Sequence, residues 1–222
     1  MNNDSIFITG AIDAFERRHV GSLDLPGAFV NTVLKDELVI MILRGELCEI
    51  LCKVDPKLYT KYVTVDKRGK PVLYVQLHKA LYGLLRAAIL FYRKLKKELE
   101  DYVFTINEMD PCVTNMTTKS GKQITVIWHV DDLKISCVDS FEITRLWSYL
   151  NKLYGGKVKL NRGKKHEYLG MDLDYSKDGV FKVTMIPYID SIHEDFPEAI
   201  TSRAPTPHQD HLFKVKDESD SK

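Results

Sequence analysis

The chain has 222 residues, 44% of them hydrophobic, with 32 basic and 31 acidic side chains and a formal charge of +1. That is enough apolar material to bury a core in one or two domains, which excludes a disordered acidic or basic tail as the whole chain. The balanced charge also excludes a whole-molecule field that draws in nucleic acid, so any polyanion site must be local.

In chain order, Phe7, Ile8, Ile12 and Phe15 recur near helical spacing and predict an amphipathic helix over 6–17, with Gly10 as a weak point. His19 to Leu25 reads as a buried strand stopped by Pro26-Gly27, which places Asp24 at the strand's C-terminal end. Leu38 to Leu43 is an apolar, β-branched run of strand length, and Pro71 to His78 alternates as a second strand. Arg44 to Lys70 between them reads as irregular, with a turn at Lys67-Arg68-Gly69. After Gly83, the positions Leu84, Ala88, Phe91, Leu95, Leu99 and Tyr102 predict a long amphipathic helix whose other face carries Arg93, Lys94, Lys96 and Lys97.

Gln123 to Val138, QITVIWHVDDLKISCV, has two apolar runs separated by two carboxylates and predicts a β-hairpin with acids at its tip. Asp139 is placed to cap the next helix, with Glu142 completing a capping box, and Ile143, Leu146, Trp147, Leu150 and Leu153 form the apolar stripe that Gly155-Gly156 ends. A second hairpin pairs HEYLGMDLDY with VFKVTMI across Lys177-Asp178-Gly179. Pro187 suits the first position of a short helix through Phe196, and residues 201–222 read as an extended or disordered tail. Hairpins without regular β-α-β spacing predict an α+β fold with a largely antiparallel sheet.

No apolar run reaches the roughly 18 residues of a membrane span, and MNNDSIFITG lacks the order of a signal peptide. The expectation is a cytoplasmic or nuclear chain with no membrane partner. Cys48, Cys52, Cys112 and Cys137 have neither C-x-x-C nor zinc spacing and read as reduced thiols.

Two readings stand for the carboxylates. Asp131 and Asp132 are ordinary hairpin-tip residues, because Asp bonds nearby backbone groups in turns. Alternatively, acids between Val126, Ile127, Val130, Leu133 and Ile135 are desolvated and mutually repulsive unless a cation neutralises them. Asp24 ends a strand of its own, and two strand ends that converge at one sheet edge supply the hard oxygen ligands of two-metal phosphoryl or nucleotidyl transfer.

Four stretches, in order, decide between them. DLPGAF (24–29), KALYGLLRAA (79–88), HVDDLKIS (129–136) and EYLGMDL (167–173) together resemble the reverse transcriptase domain of copia-type LTR retrotransposons. The resemblance covers roughly residues 6–196. It implies a right-hand polymerase palm with the start of a thumb over 1–200. It also implies RNA-directed DNA polymerisation, with two Mg²⁺ ions, replaceable by Mn²⁺, held by the catalytic residues Asp24, Asp131 and Asp132. Phe29 occupies the family's steric-gate position against a ribose 2′-hydroxyl, Arg86 lies in the nucleotide-binding motif, and Tyr168, Leu169 and Gly170 fall in a primer-gripping hairpin. The implied partners are a template-primer, deoxynucleotides and other parts of a retrotransposon polyprotein, and the basic groups of 93–97 and 157–165 are candidates to track the nucleic-acid backbone.

The chain departs from the family at two positions, with His129 in place of Tyr and Arg86 in place of Gln. With only 23 residues before Asp24, the fingers are expected to be mostly missing and the chain to be a fragment of marginal stability and little activity. Two further readings are a non-enzymatic nucleic-acid or protein interaction module that retains the palm fold, and another two-metal phosphotransferase or nuclease.

Overall fold

The computed structural model describes residues 1–34, 38–84 and 86–197, so the tail expected over 201–222 lies outside the described residues. The chain divides into two compact units, Met1–Thr184 and Met185–Lys222.

In the first unit the elements run α1 (Asn3–Phe15), β1 (His19–Asp24), β2 (Val39–Arg44), α2 (Glu46–Val54), α3 (Pro56–Tyr59), β3 (Thr64–Val65), β4 (Pro71–Leu77), α4 (Ala87–Asp101), β5 (Thr105–Ile106), β6 (Val113–Thr117), β7 (Gln123–His129), β8 (Asp132–Cys137), α5 (Ser140–Leu153), β9 (Lys159–Gly163), β10 (Lys165–Tyr168), β11 (Met171–Asp174) and β12 (Lys182–Thr184). The second unit holds α6 (Ile186–Asp195), with Pro187 in its first turn as its fixed φ favours. Among the described residues no helix is long and apolar enough to cross a membrane.

A six-stranded sheet in the order β5-β6-β7-β8-β1-β9 carries the unit, and every pairing in it is antiparallel. Both of its faces are covered, which is why β7 and β8 read as apolar runs rather than as alternating strands. On one face Leu23, Trp128, Leu133 and Ile135 pack with Phe91, Leu95 and Leu99 of α4 and Ile143, Leu146 and Leu150 of α5. On the other, Val20, Val113 and Ile127 pack with Ile6 and Ala14 of α1 and with Tyr168, Met171 and Leu173. A second sheet, β2-β4-β3, lies between β1 and α4 in sequence, and a third is β10-β11-β12.

Several local expectations need correction. The stretch 44–70 is not irregular: α2 and α3 fill it, because Cys48, Leu51 and Cys52 stand at i, i+3 and i+4 while charged residues face water. The inward stripe of α4 begins at Ala87, with Ala88 exposed. Asp139 does cap α5 by accepting from the Phe141 N–H (2.9 Å), but Glu142 pairs with Arg145 (2.7 Å) and no capping box forms. HEYLGMDLDY folds on itself at Leu169-Gly170, so the expected hairpin is a three-stranded sheet. The strand β9 was hidden because a polar edge strand, here Lys-Leu-Asn-Arg-Gly, carries no apolar alternation. Gly10 has a reason within α1, since a Cβ there would stand 2.3 Å from the Phe181 ring.

Lys96 and Lys97 on α4 form i,i+4 pairs with Glu100 (3.7 Å) and Asp101 (2.9 Å), and Lys94 pairs with Glu98 (2.6 Å). The basic face expected to track nucleic acid is thus largely compensated within its own helix.

A buried ion pair fastens α1 to the sheet. Lys134 projects from β8 to the α1 side and pairs with Asp13, both side chains at 2% exposure or less. Beside them His166 is buried, with Nε2 bonded to the Gly163 carbonyl (3.1 Å) and Nδ1 facing the Ser22 hydroxyl (3.4 Å). A carbonyl only accepts, so Nε2 carries the proton and Nδ1 accepts from Ser22. Burial, with the Lys134 charge as a smaller cause, holds the His166 imidazole below its ordinary value.

Two outcomes are expected. Lys134→Met alone strands Asp13 and costs about 3–5 kcal/mol in urea unfolding, whereas Asp13→Leu with Lys134→Met recovers most of it. Because the unfolded chain binds the His166 proton more tightly than the folded one, this residue's contribution is complete above the ordinary imidazole range and is lost as pH falls through it toward the depressed folded value. His166→Gln should flatten that part of the stability-pH curve.

Candidate active site

The site is assembled by strand register. β1 and β8 run antiparallel with Asp24 directly opposite Asp132. β7 and β8 form a tight hairpin whose last pair is His129–Asp132, leaving Val130 and Asp131 as the two-residue turn. The Leu25 N–H then donates to the Asp131 carbonyl (3.0 Å), which ties the end of β1 to that turn. Asp24 is thereby brought beside the adjacent Asp131 and Asp132, more than a hundred residues further along the chain. Val130 has φ of 55°, a strained conformation for a β-branched residue, held here by the strand pairs on both sides.

The electrostatics are those of an uncompensated anion cluster. Asp132 is half-buried, and its carboxyl is pushed up first by desolvation and then by the Asp131 and Asp24 charges, with His129 opposing. Among the described residues none of the three forms an ion pair. Nor, among those residues, do three His, Cys, Asp or Glu side chains converge closely enough to hold a metal ion as they stand. The donor chemistry nevertheless fits a divalent cation, since hard anionic oxygens from rigid strands repel each other until such a charge neutralises them.

Above the carboxylates stands Tyr82, a residue not singled out from the sequence although it lies in the KALYGLLRAA stretch. Its ring is 67% exposed, and its hydroxyl donates to Asp131 Oδ2 at 3.4 Å. Desolvation, the Asp131 charge, their hydrogen bond and the Asp24 charge all raise the phenol. Phe29 is buried, at 8% exposure, with its ring edge-on to Tyr82 (4.6 Å between centroids) and to Phe91 (6.2 Å). Phe29 therefore reaches the site through Tyr82. Arg86 is exposed and is the residue from which α4 departs.

On the other side, Tyr168 is buried and its hydroxyl donates to the Asp132 backbone carbonyl (3.5 Å), tying the β10–β11 hairpin to β8. Leu169 and Gly170 make its two-residue turn, with φ of 53° and 74°. A cleft of about 170 Å³ opens between this hairpin and the sheet, where Asp24, Asp132, Lys159, Glu167 and Tyr168 meet. Lys159 sits opposite Asp24 in the β1–β9 register. It is one of the basic groups of 157–165 expected to track nucleic acid, and its place opposite Asp24 comes only through that pairing.

A family model for reverse transcriptase (RNA-dependent DNA polymerase) matches residues 1–208. Similar solved structures are telomerases of Candida tropicalis. The apo enzyme has 11% identity and a TM-score of 0.45, over 82% of this chain and 36% of that one. A form truncated from its C-terminal domain has 10% identity and a TM-score of 0.43, over 82% and 40%. A complex with the TWJ fragment of telomeric RNA has 12% identity and a TM-score of 0.43, over 82% and 33%. The chain thus spans two-fifths or less of the length of those telomerase chains. With the motifs in order and the family model matched over residues 1–208, this chain belongs to the reverse transcriptase family of the Ty1/copia type.

Proposed function

We propose that Met1–Thr184 is the catalytic palm of an RNA-directed DNA polymerase that works within a longer retrotransposon polyprotein, and that α6 begins its thumb. The observation that carries this reading is the opposition of Asp24 and Asp132 with the turn of Asp131 fastened between them. Reverse transcriptases use divalent metal ions. In this reading Asp24, Asp131 and Asp132 hold two Mg²⁺ ions, with Mn²⁺ as a substitute. When bound, the ions supply Lewis acidity to a primer 3′-hydroxyl and counter-charge to the leaving pyrophosphate.

The chain's own residues do the remaining work. The exposed Tyr82 ring meets the sugar of the incoming deoxynucleotide, and Phe29 fixes that ring edge-on, so the gate against a 2′-hydroxyl is a pair of rings rather than one aromatic. Arg86 contacts the triphosphate as a cation where the family usually has a neutral Gln. The Tyr168–Gly170 hairpin holds the primer end against the strand that bears Asp132. Template-primer and deoxynucleotides are the substrates.

Primer extension on poly(rA)/oligo(dT) tests the reading. Asp131→Asn is expected to lower Mg²⁺-dependent incorporation at least 100-fold, about 2.7 kcal/mol of transition-state stabilisation. Equal incorporation by wild type and mutant would instead leave a non-enzymatic interaction module on the palm fold. Tyr82→Ala and Phe29→Val are both expected to reduce discrimination against ribonucleotides by about tenfold or more, a loss of ~1.4 kcal/mol of selectivity.

The raised Asp132 carboxyl has a stability consequence of definite sign. The folded chain holds this proton more tightly than the unfolded one, so folding stability falls as pH rises through the ordinary carboxylate range to the raised folded value. Asp132→Asn should therefore raise the unfolding temperature of metal-free protein at pH 7. The gain should vanish in acid, and added Mg²⁺ should stabilise the wild type only.

A further inference from the structure

The last row of strand pairs at the carboxylate edge holds a donor that the polymerase reading leaves unused. His129, Asp132 and Asp24 stand in register across β7, β8 and β1, and Lys159 of β9 completes the row beyond Asp24. Residues directly opposite on neighbouring strands share a face, with Cβ atoms about 4.5–5.5 Å apart. The packing agrees with that parity. Trp128 lies in the core under α4 and α5, whereas Ile127 lies in the core against α1. His129 therefore projects with Ile127, on the face that Asp132 shares with Lys134.

The imidazole is available. His129 is exposed, and among the described residues neither of its ring nitrogens makes a hydrogen bond. His166 is the contrast, buried with both nitrogens occupied. His129 is also within electrostatic reach of the acids, since it draws the Asp132 carboxyl back against the desolvation and the Asp131 and Asp24 charges that raise it. The row thus reads imidazole, carboxylate, carboxylate, ammonium. Lys159 repels a cation from the Asp24 end, which leaves the His129–Asp132 end as the more favourable place for one.

The donor pair selects the kind of ion. Carboxylate oxygens suit Mg²⁺, which takes oxygen ligands and keeps several waters. An imidazole nitrogen adds little for Mg²⁺ but is a preferred ligand of Zn²⁺ and Co²⁺, which also accept Asp oxygen. Two protein donors leave the remaining positions to water. That is in keeping with the finding that, among the described residues, no three His, Cys, Asp or Glu side chains converge on one point.

We infer that His129 and Asp132 together bind a divalent cation with affinity for nitrogen, of which Zn²⁺ is the representative, and that His129 sets the metal selectivity of this sheet edge. The inference rests on the carboxylates being a cation site, as under the proposed function, and adds to that reading a ligand and a class of ion. An ion held there takes up Asp132, so Mg²⁺ competes with it.

The test is titration of the full chain with Co²⁺, a spectroscopic stand-in for Zn²⁺, followed by visible absorption and by the hyperfine-shifted proton resonances of a metal-bound imidazole. Wild type is expected to bind Co²⁺ more tightly than Mg²⁺, to release it as Mg²⁺ is added, and to show one shifted imidazole. His129→Tyr should lose that resonance and about tenfold or more of the Co²⁺ affinity, with Mg²⁺ affinity unchanged. Asp132→Asn should weaken both ions. Equal Co²⁺ affinity in wild type and His129→Tyr would overturn the inference. So would a shifted resonance that survives the substitution, which would put the ion on another of the seven histidines. An equal loss of Co²⁺ and Mg²⁺ affinity in His129→Tyr would overturn it as well, by reducing His129 to a structural role. Wild type that binds neither ion would instead remove the cation site itself, the premise shared with the proposed function, so the two failures are told apart. Circular dichroism of each variant ensures that affinities are compared between folded chains.

Discussion

The antiparallel pairing of β1 with β8 is the constraint on which the rest of the molecule depends. It sets Asp24 against Asp132, and the bond from the Leu25 N–H to the Asp131 carbonyl carries the third carboxylate to the same edge. A slip of one residue would move Asp24 away from Asp132 and turn the apolar side chains of β1 to the wrong face. Register is secured because both faces are buried: Leu23, Leu133 and Ile135 belong to the core under α4 and α5, whereas Val20 belongs to the core under α1. Burial of ordinary aliphatic side chains therefore positions the acids.

The same strands carry opposite solutions to the problem of charge. Lys134, two residues after Asp132 and so on the same face of β8, is neutralised by Asp13, and its charge is spent on docking α1. Among the described residues Asp132 has no such partner, and it bears the repulsion of Asp131 and Asp24. A protein selected only for stability would not keep three acids in this state. Three mutually repelling acids beside a strained Val130 cost stability, which is what the proposed cation site would recover.

The aromatic pair over the site shows how motif and packing divide the work. Phe29 lies under Tyr82, and Tyr82 alone of the two is exposed and bonded to a carboxylate. Packing and chemistry are carried by adjacent rings from two distant stretches, the turn after β1 and the loop before α4. On the far side the buried Tyr168 plays a similar anchoring part, because its hydroxyl reaches the backbone of β8 rather than a carboxylate.

The sequence by itself determined the hairpin with acids at its tip, the helices α4 and α5, the strand that ends in Asp24 and, through four ordered motifs, the family. Those features are local: apolar period, turn chemistry and short contiguous motifs are fixed by neighbours along the chain. It did not reveal β9, the helices of 46–59, the third strand formed at Leu169-Gly170, or the places of Tyr82 beside Asp131 and of Lys159 opposite Asp24. A polar edge strand has no period of its own, and a residue such as Lys159 acquires its place only from the strand beside it. Tertiary structure alone decided that Asp24 faces Asp132, that Phe29 is covered by Tyr82, and that Lys134 meets Asp13. Each of these depends on which surfaces are buried together, and burial is a property of the folded chain rather than of any stretch within it.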